Sequence, residues 1–134
     1  MNDRKQTILI LSGFSGSGKT TACNLLLEEN DRYIKLKTHT TRPQRYYDEN
    51  DYVFITEKQF QENLAAGLYC EYTSYANNHY GTVEKDILDN LDGGKIPILL
   101  IDFKGLLQIQ EKNYIRKGEI EVVSIFLFCQ PDIL

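Results

Sequence analysis

Apolar residues in this chain fall into two kinds of run. Thr7-Ile8-Leu9-Ile10-Leu11 and residues 96–101 are continuously apolar, the pattern of strands buried on both faces of a sheet, with Pro97 tolerable only near the start of the second. Residues 122–128, apolar but for Ser124, read as the last strand with a buried-strand pattern, 33–37 alternate apolar with polar residues, and 52–55 are rich in β-branched and aromatic side chains. Helical spacing takes over between them. Residues 22–29 read as one helix; Val83, Ile87, Leu88 and Leu91 share the face of another that ends before Gly93; 106–113 read as a third, short one. Thr56 followed by Gln59 is a capping-box signature that opens a further helix, and Gly67 stops it. Residues 68–75 then read as a strand, with Asn77-Asn78 as a turn. The alternation predicts a single α/β domain with a parallel sheet core flanked by helices. The stretch 38–82, with short strands, many tyrosines and one helix, reads as an inserted mixed α/β subdomain between core halves 1–37 and 83–134.

Composition narrows the class of partner. The 134 residues suffice for one domain that buries roughly two-thirds of its unfolded surface. A net charge of −4, from 15 basic and 19 acidic residues, argues against nucleic acid as the main partner. The first apolar run is too short for a membrane span or signal peptide. Cys23, Cys70 and Cys129 are odd in number and widely spaced, which disfavours a disulfide framework or zinc site and fits a reducing cytoplasm. Gln130-Pro131-Asp132 reads as the opening of a helix, and the expectation is an incomplete domain in which nothing yet covers the last strand.

Chemistry enters at Gly13-Phe14-Ser15-Gly16-Ser17-Gly18-Lys19-Thr20, a complete G-x-x-x-x-G-K-[ST] sequence placed between a strand and a helix. Backbone N–H groups of such a loop converge on one anion, and the following helix adds its positive end. Lys19 can reach the β- and γ-phosphates of a nucleotide, and the Thr20 hydroxyl can ligate Mg²⁺. A second constellation follows. Lys35, Lys37, Arg42 and Arg45 form a basic cluster, and Asp48, Glu49 and Asp51 come directly after it. Such a pairing suits a ligand with an anionic end and a hydrogen-bond-donating end, as phosphate and guanine are, although charged loops are commonly just solvated.

The loop, together with His39-Thr40-Thr41-Arg42, Arg45, Asp51-Tyr52-Val53-Phe54, Glu71, Tyr80-Gly81-Thr82 and Ile101-Asp102-Phe103-Lys104-Gly105, resembles guanylate kinase, a P-loop nucleoside monophosphate kinase, in order and approximate spacing. The resemblance implies that Gly16, Ser17, Gly18, Lys19, Thr20 and Thr21 hold ATP, with Lys19 catalytic and Thr20 on Mg²⁺. It implies that Thr38, Glu71 and Thr82 read guanine, and that Arg42, Arg45, Tyr52 and Tyr80 hold the GMP phosphate. Asp102 matches an acidic residue near acceptor and metal, although a strand-end aspartate can equally cap the next helix. His39 and His79 are assigned no proton-transfer role. The implied reaction is ATP + GMP ⇌ ADP + GDP, in purine nucleotide metabolism.

Three departures qualify this. Residues 46–51 are shorter than the family's glycine-containing loop and carry no glycine, and Leu100 stands where relatives often have a second aspartate. The chain also stops before the arginine-bearing lid, which makes this form weakly active at best, since losing such an arginine costs about 10³–10⁵ in rate. Two other readings stay open: a catalytically degenerate binding module, and a P-loop kinase of a phosphorylated sugar. Oligomeric state is not legible.

Overall fold

The computed structural model describes residues 5–13, 18–45 and 51–128. Its first sheet is wholly parallel, in the order β2-β7-β1-β8, formed by β1 (Gln6–Gly13), β2 (Tyr33–Lys35), β7 (Ile96–Leu100) and β8 (Ile120–Leu127). β1 is central, and its alternate side chains part to the two faces. Leu9 and Leu11 meet Cys23 of α1 (Lys19–Glu29) and Ile98 on one side. Ile8 and Ile10 meet Ile87 and Leu91 of α3 (Glu84–Asp92) and Leu106 and Ile109 of α4 (Phe103–Gln110) on the other. Two covered faces explain why β1 is continuously apolar. β8 pairs along its length with β1 alone, and Val123, Ile125, Phe126 and Phe128 are exposed. Its buried-strand sequence pattern is therefore not matched by burial among the described residues.

The second sheet, order β4-β3-β6-β5, is mixed and lies within 38–83. Its strands are β3 (Thr38–Thr40), β4 (Tyr52–Phe54), β5 (Tyr69–Tyr75) and β6 (Asn78–Val83); α2 (Glu57–Ala65) covers one face through Phe60, which packs with Tyr69 and Val83. The Thr56 capping box forms as the sequence predicts, with Gln59 N donating to Thr56 Oγ1 at 3.0 Å and Thr56 N to Gln59 Oε1 at 2.9 Å. Gly67, at φ 74, ends that helix.

Some boundaries differ from the sequence reading. The β5–β6 turn is Ala76-Asn77, with φ of 51 and 67, rather than Asn77-Asn78, because Asn78 already pairs with Tyr75. Two positive-φ residues make it a two-residue hairpin turn whose twist matches the strands. Alanine is poorly suited to that conformation. Ala76→Gly is expected to raise stability by about 1 kcal/mol, read as a higher urea midpoint at unchanged slope. The third predicted helix starts at Phe103, not Leu106, because Asp102 caps it by accepting from Gly105 N at 2.8 Å. It ends at Gln110, and a separate turn, α5 (Asn113–Arg116), follows.

Candidate active site

The cleft lies where the ends of β1 and β7 meet one face of the second sheet. Register decides which side chains point there. Thr38 pairs with Tyr52, Thr40 with Tyr80, Tyr80 with Thr73, and Thr82 with Glu71, so all of these share a face. One irregularity is decisive. Tyr69 pairs with Val83 and Glu71 with Thr82, so β5 carries a bulge at Cys70. Strict alternation would put Tyr69 and Glu71 on the same face. The bulge instead sends Tyr69 to the α2 side and Glu71 into the cleft.

A cavity of about 370 Å³ results, within the range of small-ligand sites. Lys19, Thr38, Tyr52, Glu71, Tyr80 and Asp102 line it, joined by Thr73, Tyr75 and Lys104, which the sequence reading passed over. Thr73 and Tyr75 could have been found from their two-residue spacing to Glu71. Lys19, from the first turn of α1, donates from Nζ to the Gly13 carbonyl at 2.9 Å. Its ammonium thus reaches back to the end of β1. Gly18 caps that helix at φ 92, a conformation glycine adopts without strain. Gly16 and Ser17, like Asp48, Glu49 and Cys129, lie outside the described residues. Thr21 is exposed on α1.

Glu71 is the chemically unusual group. It is 2% exposed, and Thr82 Oγ1 donates to its Oε1 at 2.5 Å. Burial pushes its pKa up to about 7; the Thr82 hydrogen bond opposes this and the Asp102 charge adds to it. Thr82 is itself buried behind Glu71, so it orients the carboxylate and is not among the residues lining the cavity.

Arg42 and Arg45 do not line the cavity. The Arg42 guanidinium lies 4.9 Å from the Tyr52 ring centre and 5.9 Å from that of Phe54, one ring away from the opening. Lys35 and Asp51, which the sequence groups into a basic and an acidic cluster, form an ion pair with each other at 2.8 Å. The histidines are engaged in structure. His39 Nδ1 is 2.9 Å from Tyr69 Oη, and His79 stacks on Phe60 with its ring nitrogens 2.7 Å from Ser74 Oγ and 3.0 Å from Glu57 Oε1.

Residues 5–130 match the family model described as guanylate kinase. The chain belongs to the guanylate kinase family. It is 33% identical over 128 residues to a guanylate kinase of Clostridium tetani, spanning 95% of this chain and 58% of that one. With one from Clostridium perfringens it shares 36% over 131 residues, 96% and 57% of the two chains. The crystal structure of guanylate kinase from Anaplasma phagocytophilum matches with a TM-score of 0.72 at 32% identity, over 91% of this chain and 60% of that one. The chain therefore spans somewhat over half the length of these relatives.

The family implies Mg²⁺, and the residues present fit it. Mg²⁺ keeps several waters and takes phosphate oxygens with one or two protein oxygens. Thr20 offers such an oxygen, lining a recess of about 70 Å³ that shares Thr38, Tyr52 and Leu100 with the main cavity. Among the described residues, no group of three or more His, Cys, Asp or Glu side chains is placed to hold a metal on its own, and no helix is long and apolar enough to cross a membrane.

Proposed function

We propose that the protein transfers the γ-phosphoryl group of Mg-ATP to GMP, giving ADP and GDP. The observation that carries this reading is the placement of Lys19, the phosphate-loop lysine, in one cavity with a buried carboxylate held by a hydroxyl. Guanine presents N1–H and 2-amino donors side by side, and an ionised Glu71 accepts both. Adenine offers no such pair. Thr38 is the further hydroxyl facing the base, and Tyr52 and Tyr80 offer phenolic donors to the GMP phosphate, with Arg42 and Arg45 supplying charge from beyond the rings. Thr20 would hold Mg²⁺, which would supply charge neutralisation at the donor phosphates. Lys19 and the loop amides would hold the donor phosphates. Residues 38–82 would form the GMP-binding lobe, excluding water so that GMP is the acceptor.

Among the described residues, the cations lining the cavity are Lys19 and Lys104, with no arginine fork beside the site of transfer. The 134-residue protein is therefore proposed to bind GMP well and to turn over slowly. Offered ATP with GMP, dGMP, AMP or ribose phosphates, it is expected to phosphorylate GMP and dGMP only. Lys19→Met should lower that turnover by about 10²–10³ while leaving GMP binding by calorimetry nearly unchanged. No heat of GMP binding, with capture of a phosphopeptide instead, would overturn the enzyme reading in favour of a binding module. Turnover on ribose phosphates in preference to GMP would point to a sugar-phosphate kinase.

A further inference from the structure

Gly105 stands in the first turn of α4, and nothing local calls for glycine there. Its φ is not among the positive values in the chain, and alanine is the better helix former. The reason lies across the packing interface. A Cβ built on Gly105 would stand 2.6 Å from Glu71 Oε2, 3.3 Å from Glu71 Cδ and 3.2 Å from Ile101 Cδ1. The first of these is closer than real Cβ contacts come. Glu71 cannot yield freely, since it is almost wholly buried and its Oε1 accepts from Thr82. The same glycine holds the other carboxylate of the cleft, because its N–H donates to Asp102 Oδ1 at 2.8 Å.

We propose that Gly105 is a specificity-positioning residue: its bare Cα seats the Glu71 carboxylate, so that helix α4 sets where the cleft reads the purine edge. Any side chain at 105 would rotate the carboxylate off Thr82 and out of line with the paired donors of the base. The inference rests on the guanine-reading role given to Glu71 above, and the test separates the two.

Gly105→Ala, Glu71→Asp and the double variant are compared with the unchanged protein by calorimetry against GMP and inosine monophosphate, which lacks the 2-amino group. The Glu71 carboxyl is also titrated by ¹³C NMR in the ligand-free wild type and Gly105→Ala proteins. Gly105→Ala is expected to weaken GMP about tenfold or more and inosine monophosphate much less, collapsing the preference between them. Asp at 71 withdraws the carboxylate by one methylene, so the double variant should recover part of the preference that Gly105→Ala loses. The ligand-free Glu71 titration should move down toward the ordinary carboxylate range as the group is pushed toward solvent. Equal loss of both nucleotides without rescue would mean a merely structural glycine and overturn the proposal. So would an unmoved titration. If wild type shows no preference for GMP while the titration moves as expected, the seat stands and the guanine reading fails.

Discussion

Glu71→Gln is expected to make the ligand-free protein more stable at pH 8 while removing its preference for GMP. The stability effect follows from where the proton sits. Burial raises the native carboxyl to about 7 from its ordinary 4.5. Between those values the native state holds a proton that the unfolded chain has lost, so stability falls as pH rises from about 4.5 to 7 and stays low above. That gap corresponds to roughly 3 kcal/mol, which a non-titrating carboxamide does not lose. Gln at 71 still offers an oxygen to Thr82, so the hydrogen bond survives. Urea denaturation of both proteins at pH 5 and pH 8 checks this. The advantage of the variant should be small at pH 5 and grow by up to about that amount at pH 8. An advantage that does not change with pH would show that Glu71 is not held neutral in the native state. In binding, the carboxamide puts a donor against the guanine donors, and GMP affinity should fall about a hundredfold or more.

Phe60→Ala, on the helix that covers the second sheet, should be the most destabilising single change in that lobe, at about 3–5 kcal/mol. Phe60 is fully buried, stacked on Tyr69 at 4.8 Å between ring centres and on His79 at 5.1 Å. It is the centre of a small cluster with Tyr69 and Val83, distinct from the two clusters on the faces of the parallel sheet. The loss should accordingly be local. Hydrogen exchange is expected to show α2, β5 and β6 losing protection while β1 and β7 keep theirs. GMP binding should go with them, because Glu71 and Thr82 ride on those strands. Uniform loss of protection across both sheets would show that the lobe does not open on its own.

Strong local patterns made much of this readable in the sequence. β1 and β7 are legible because burial on both faces leaves a continuous apolar run, and α2 because its cap is written in Thr56 and Gln59. β3 and β6 are not. Thr38-His39-Thr40 is three residues of mixed polarity, and Asn78-His79-Tyr80-Gly81-Thr82-Val83 carries its polar side chains into the cleft or onto α2, so neither shows an apolar stripe. α4 hid its first turn because Phe103, Lys104 and Gly105 carry no apolar period. The site divided in the same way. Lys19 and Glu71 are found by motif and by resemblance, and the cavity that joins them depends on register. The Lys35–Asp51 pair could not be seen from charges counted along the chain, because only the fold brings residues 16 apart to 2.8 Å.

The bulge at Cys70 has a consequence for how this region can vary. Either side of it, residue exchange alters one face of the sheet at a time: Tyr69 can change with its packing partners while Glu71 keeps its place, and the converse. Losing the bulge at unchanged length would restore strict alternation and force a choice between an aromatic ring in the cleft and a carboxylate against Phe60. Removing Cys70 itself would not, because Tyr69 and Glu71 would then be neighbours and alternation alone would send them to opposite faces. The extra residue and the bulge therefore come or go together, a constraint written in spacing and not in the identity of any one side chain.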